Sequence, residues 1–215
     1  MGTERSGSNL LRLILNAHSR IAVPHPPHVL RYFAPLEAGY GDLSRRGNRA
    51  RLVDDVRWLL RVHIHPWEPP VDREALIDDA DPQDLVGVFF GLYEQFRRAE
   101  GMARWGCKST FALHHVDRLL RHRPDARFLW LVRDPRDVAA SSRRSVFSPF
   151  HPHRTACLWR DQQQLGLALE RRLPASCWLR LRYEDLLADP EGSVRSVCHF
   201  LGEAFEPGLL GYHRT

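Results

Sequence analysis

The residues best suited to chemistry stand at the start of the chain. The segment Gly2-Thr3-Glu4-Arg5-Ser6-Gly7-Ser8-Asn9-Leu10 sets two glycines with four residues between them, just before an apolar stretch. Glycines at this spacing let a loop turn its backbone N–H groups around an anion and deliver it to a helix N-terminus. A nucleotide triphosphatase would continue with Lys and then Ser or Thr, the lysine serving the phosphates and the hydroxyl a Mg²⁺ ion. Here the next residues are Ser8 and Asn9, and the base, Arg5, lies inside the loop. Donors of this kind suit a less charged group, such as a sulfuryl, and need no metal. Taken alone, the spacing fits a plain turn before a helix better than an anion loop.

A second cluster follows the apolar run Ala126-Arg-Phe-Leu-Trp-Leu-Val132. Arg133 ends that run, Asp134 and Pro135 read as the cap and first position of a helix, and Ser141 comes about two turns later. Ligands of open α/β sheets bind beyond the carboxyl ends of strands, so Arg133 and Ser141 suit a second phosphate; an ordinary cap with a surface arginine would look the same. Lys108 is the only lysine in a chain whose other strong bases are all arginine. Among the histidines, His25 and His28 lie in a proline-rich segment, and His63, His65, His114 and His115 form two close pairs. The pair at 63 and 65 has no carboxylate or cysteine to complete a metal set, so no metal is expected.

The elements that must carry these residues alternate between helix and strand. Helical spacing covers Ser8 to about His18, 51–65, about 83–100, 110–123, 155–172 and 190–201, with short helices over 28–33 and 72–79. Pro66, Pro69 and Pro70 end the second of these. Strands are expected at 104–107, 126–132 and 177–182, with a short apolar run at 21–23; residues 39–50, with three glycines and Asn48, read as an exposed loop. Alternation of this kind predicts an α/β domain with a parallel sheet.

Composition narrows the class. The 215 residues are 43% hydrophobic and 27% charged, and 31 bases against 26 acids give a formal charge of +5. This fits a globular enzyme with local anion sites. The basic residues form no long run and do not interleave with aromatics, which argues against nucleic acid. Cys107, Cys157, Cys177 and Cys198 show no C-x-x-C spacing and read as reduced, mostly buried thiols of a cytoplasmic protein. No apolar run is long enough to span a membrane, and no signal peptide is evident. Trp58, Trp67, Trp159 and Phe150 read as core more readily than as the wall of an acceptor pocket.

Four segments together resemble the sulfotransferases that use 3′-phosphoadenosine 5′-phosphosulfate (PAPS), above all the bacterial branch related to tyrosylprotein sulfotransferases. Gly2 to Leu10 is similar to that family's 5′-phosphosulfate loop, and Arg133-Asp-Pro-Arg-Asp-Val-Ala-Ala-Ser141 to its 3′-phosphate site. Trp105-Gly-Cys-Lys108-Ser-Thr and Leu181-Arg-Tyr183-Glu-Asp-Leu-Leu match two further family segments, in the same order. The resemblance implies a P-loop-like three-layer α/β fold, with a central parallel sheet of four to five strands flanked by helices. It also implies that Arg5, Ser6, Gly7, Ser8, Asn9 and Leu10 hold the 5′-phosphosulfate, with Arg133 and Ser141 on the 3′-phosphate and Tyr183 on the nucleotide. Arg5 and Lys108 would stabilise the transition state, since charge grows on the leaving phosphate as the S–O bond breaks.

Three features depart from the family pattern. Pro26 stands where related bacterial enzymes often place a glutamate base; a histidine then takes the role, with His28 preferred over His25 because Pro27 starts a turn that projects it inward. Only Met1 precedes the loop, where a buried first strand is expected, and the chain ends at Tyr212-His-Arg-Thr215, where the family continues with a closing loop and helix. The expectation is therefore one sulfotransferase domain over residues 1–215, trimmed at both ends. The acceptor, whether a small molecule, a carbohydrate or a peptide, stays open, as does the oligomeric state. A P-loop kinase or hydrolase, and a degenerate nucleotide-binding protein without catalysis, are the alternatives.

Overall fold

The computed structural model of the chain describes residues 1–68, 70–145 and 151–214, the last three by backbone alone; Pro69 and Phe150 lie outside the described residues. In chain order, α1 (Ser8–Asn16), β1 (Ile21–Ala22), α2 (Val29–Phe33), α3 (Arg46–Val62), α4 (Arg73–Asp78), α5 (Leu85–Ala99) and β2 (Arg104–Trp105) lead to α6 (Val116–His122). Then come β3 (Phe128–Val132), α7 (Pro135–Ser142), α8 (Pro152–Arg172), β4 (Trp178–Arg182), α9 (Tyr183–Ala188) and α10 (Pro190–Leu201). Short 3₁₀ segments cover Ala34–Tyr40, Ala112–His115 and Pro207–Arg214. The chain divides into two compact units, one of residues 1–17 with 123–215 and one of residues 18–122.

In the first unit β3 and β4 run parallel, in register from Phe128 beside Trp178 to Val132 beside Arg182. On the other side of β3, the Met1 ammonium donates to the Leu129 carbonyl at 2.6 Å and the Leu131 N–H donates to the Met1 carbonyl at 2.9 Å. That is the bonding of a parallel neighbour, so β3 is paired on both sides, as its almost wholly apolar sequence requires. Gly2 then lies flush against β3: a Cβ there would come within 2.2 Å of the Leu131 carbonyl oxygen. Helix α8 crosses Trp130 of β3 just as closely, because Gly166 has no side chain; a Cβ would sit 2.3 Å from the indole. Trp130, Leu131, Val138, Leu186, Val194 and Val197 are buried around this contact.

In the second unit α3 and α5 each pack against α4, and Leu52, Val53 and Val56 of α3 and Leu85, Val86 and Leu92 of α5 are fully buried. Its strands β1 and β2 pair in parallel over two residues each. The α/β class and the parallel pairing agree with the sequence, whereas the described strands pair as two two-stranded sheets, not as one sheet of four to five. Residues 39–50, expected as loop, are partly helical. The reason is tertiary: the buried Arg49 guanidinium donates to the carbonyls of Leu43, Ser44 and Ile77 at 2.7, 3.1 and 2.6 Å. Those bonds, with the burial of Leu52 and Val53, outweigh the poor helix propensity of Gly47 and Asn48.

Other differences are local. The helix expected over 110–123 begins as the 3₁₀ turn Ala112–His115. The segment after β4 forms α9, whose first turn carries Glu184 and Asp185, where the helix dipole favours acids. Trp58, read as core, is 57% exposed, while Trp67 packs among Tyr93 and Phe96 and donates to the His25 carbonyl at 2.7 Å.

Gly166→Ala tests the α8–β3 contact. Alanine gains about 1 kcal/mol of helix propensity, but its methyl must displace the Trp130 ring or the helix, so a net loss of about 1–2 kcal/mol is expected in urea unfolding. A variant as stable as wild type would contradict this packing.

Candidate functional site

The opening loop reverses direction twice before α1. Arg5 is left-handed at φ 69° and Gly7 at φ 87°, and the two reversals wrap the chain before α1. Gly7 occupies the N-cap of α1 and supplies no side-chain cap, so the first-turn N–H groups of Ser8, Asn9 and Leu10 lack intrahelical acceptors. A hydroxyl at position 6 is fully buried, and its Oγ has no hydrogen-bond partner. Asn9 Oδ1 accepts from Arg12 Nε at 3.0 Å. Positive φ at a non-glycine residue costs about 1 kcal/mol or more, and at Arg5 that cost shapes a loop lined with donors.

The second cluster meets the first directly. Arg133 Nη1 donates to the Arg5 carbonyl at 2.9 Å, and Arg5 Nε donates to Ser141 Oγ at 3.1 Å. The Arg133 guanidinium also lies over the Tyr183 ring, 4.4 Å from its centroid. The edge of that ring fills the space beside Gly7, where a Cβ would be 2.3 Å from Cδ2. Arg133 Nε is buried without a partner. Asp134 caps α7 by accepting from the Arg136 N–H at 2.8 Å. The Arg136 side chain and backbone together hold its carboxyl down to about 2, so the cap is ionised at neutral pH. The structure thus gathers Arg5, Ser6, Gly7, Ser8, Asn9, Leu10, Arg133, Ser141 and Tyr183 in one unit. Two buried polar atoms, Ser6 Oγ and Arg133 Nε, one in each segment, have no hydrogen-bond partner. These residues fit a ligand with two anionic groups.

Three residues that sequence reasoning did not assign to this site bond to it. Trp159 Nε1 donates to the Arg133 carbonyl at 3.0 Å, a Glu184 oxygen accepts from the Asp134 N–H at 2.8 Å, and Gln163 Nε2 donates to Thr3 Oγ1 at 2.8 Å. Gln163 carried no local signal, Trp159 read as core, and Glu184 stood inside a recognised segment.

Lys108 and His28 belong to the second unit. His28 is left-handed at φ 55° and stands at the N-cap of α2, without a side-chain cap bond. Its ring meets Phe111 edge-on at 5.7 Å, and its Nδ1 is buried without a partner. Burial, then the charges of Lys108, Arg31 and His63, push its pKa down to about 4. His25 instead stacks on His65 at 3.8 Å. Among the described residues no group of three or more His, Cys, Asp or Glu could hold a metal ion, and no helix is long and apolar enough to cross a membrane. The four cysteines are free; burial raises Cys107 to about 11, so it is an inert thiol at neutral pH.

The family model described as "Sulfotransferase family" matches residues 1–207. The chain belongs to the sulfotransferase family. Solved structures agree on the fold. The chain is similar to the sulfotransferase domain of the Synechococcus PCC 7002 olefin synthase, with TM-score 0.69 and 23% identity over 99% of this chain and 74% of that one. It is also similar to the sulfotransferase domain from the curacin biosynthetic pathway, with TM-score 0.64 and 23% identity over 99% and 75% of the two chains. The sulfotransferase STF9 from Mycobacterium avium follows at TM-score 0.52 and 16% identity, over 100% and 65%. No curated protein matches the sequence significantly.

The His28 environment makes a prediction with a definite sign. Its folded pKa lies below the ordinary value near 6.5, so the folded chain disfavours the imidazolium. The stability tied to its neutral form is fully present above pH 6.5 and is lost as pH falls from there through about 4. In NMR titration its ring protons should move with a midpoint near 4, and His28→Gln should lose less stability than wild type across that window. A midpoint near 6.5 would contradict the assignment.

Proposed function

We propose that this member of the sulfotransferase family transfers a sulfuryl group from PAPS to an acceptor hydroxyl. The observation that carries the reading is the direct link between the two anion segments, Arg133 to the Arg5 carbonyl and Arg5 to Ser141. A nucleotide with separated 5′ and 3′ anionic groups matches two adjoining cradles; a nucleoside triphosphate, with its charges in one line, matches one. In this reading Ser6, Gly7, Ser8, Asn9 and Leu10 hold the 5′-phosphosulfate, Arg133 and Ser141 the 3′-phosphate, and Tyr183 the nucleotide. The reading treats residues 1–215 as one sulfotransferase domain of a cytoplasmic protein, built on the family's larger parallel sheet.

The transfer balances simply. The acceptor oxygen forms a bond to sulfur while the S–O bond to the 5′-phosphate breaks. The electron pair leaves on the phosphate oxygen, giving adenosine 3′,5′-bisphosphate. The acceptor proton passes to the neutral imidazole of His28. Arg5 and Lys108 offset the charge that grows on the leaving phosphate, so the step as written uses no metal. With its pKa pushed down to about 4 the His28 imidazole is neutral at pH 7, able to accept a proton though only weakly basic.

The test is incubation with ³⁵S-labelled PAPS and an extract of candidate acceptors. Wild type should transfer label, and Arg5→Ala and Lys108→Ala should each lose about 100-fold or more in rate. No transfer by wild type, or equal transfer by all three proteins, would sink the mechanism. Mg²⁺-dependent ATP turnover would instead favour a hydrolase, and nucleotide binding without transfer a non-catalytic protein.

A further inference from the structure

Helix α8 presents one face to the site. Thr155, Trp159, Gln163, Gly166 and Leu169 recur at helical spacing; Trp159 is half-buried and the other four are buried. Two of them touch the two anion segments separately. Trp159 donates to the Arg133 carbonyl at 3.0 Å, and Gln163, one turn on, donates to Thr3 Oγ1 at 2.8 Å inside the opening loop. One turn beyond, Gly166 lets the helix sit against Trp130 of β3, which fixes α8 to the strand from which Arg133 emerges.

The Gln163 contact is costly as a packing choice. Its Oε1 is buried without a partner, and an unsatisfied buried amide oxygen is worse than a methylene of similar shape. Thr3, the acceptor, is itself 1% exposed. An amide retained under such conditions makes sense where the bond it does form fixes something that matters. Here it ties the loop carrying Arg5 to the helix that already holds Arg133.

We propose that α8 acts as a splint that sets the distance between the two anion segments, with Trp159 and Gln163 as positioning residues. Neither needs to touch the ligand: Trp159 acts through the Arg133 backbone and Gln163 through Thr3. The inference rests on the reading of the site as one for a nucleotide with two anionic groups. A ligand that spans both segments senses their spacing, whereas a ligand with one anionic group engages one segment and does not.

Trp159→Phe removes the indole donor but keeps an aromatic ring, and Gln163→Met keeps the length of the chain without the amide. Affinities for adenosine 3′,5′-bisphosphate, adenosine 5′-monophosphate and adenosine 3′-monophosphate are measured by calorimetry on wild type and both variants, with thermal melts to confirm folding. Each variant should bind the bisphosphate about 5- to 10-fold more weakly, the size of one lost hydrogen bond, with each monophosphate within about 2-fold of wild type. If a folded variant loses all three ligands by the same factor, or loses none, the nucleotide reading stands and the positioning role falls. If wild type binds none of the three, the nucleotide reading falls and takes the positioning role with it.

Discussion

The arrangement of the first unit turns on where the Arg133 side chain lies. Its guanidinium rests on the Tyr183 ring and donates to the Arg5 carbonyl, joining three segments that are far apart in sequence. A cation over an aromatic face contributes about 0.5–1 kcal/mol at an exposed site and more when desolvated. Its larger effect is geometric. Gly7 has no side chain, so the Tyr183 ring can occupy the place a Cβ would take. The ring then supports the arginine, and the arginine supports the turn at Arg5. The left-handed backbone at Arg5 is held by this contact and by the bond from its own side chain to Ser141. A loop of this length without those ties would relax toward ordinary φ values.

The same constraint explains the supporting shell. Both sides of the 133–134 peptide are bonded, the carbonyl to Trp159 and the N–H to Glu184, which sets where the Arg133 guanidinium meets the turn at Arg5. β3 is likewise flanked, by β4 on one side and by Met1 on the other, so the strand end that delivers Arg133 does not shift. Ionised Asp134 completes the turn by capping α7. The second unit carries Lys108 and His28, in surroundings where burial and neighbouring cations keep the imidazole neutral.

The residues of the proposed anion site were legible in the sequence because the reading depends on residue type at local spacing. Gly2, Arg5 and Gly7 announce a loop, Asp134-Pro135 announces a helix start, and Arg133 falls at the end of an unmistakable apolar strand. What joins them was not legible. The bond from Arg5 to Ser141 spans 136 residues, and no periodicity predicts which arginine reaches which hydroxyl. Gln163 looked like an ordinary member of a helix, and Trp159 like a core residue, until the helix was placed. Residues 39–50 misled for a related reason: Gly47 and Asn48 favour a loop locally, yet the buried Arg49 and its carbonyl acceptors commit the segment to α3. The sheet of four to five strands was implied by the family resemblance, and a resemblance does not say how many residues of each strand pair in this chain.

The central claim is that the two anion segments form one site for one ligand. Amide chemical shifts followed by NMR during titration with adenosine 3′,5′-bisphosphate test it most directly. The account predicts that Ser6 to Leu10 and the residues around Arg133 and Ser141 move together, along a single isotherm with one dissociation constant. Movement of only one segment, or of the two with separate constants, would contradict it.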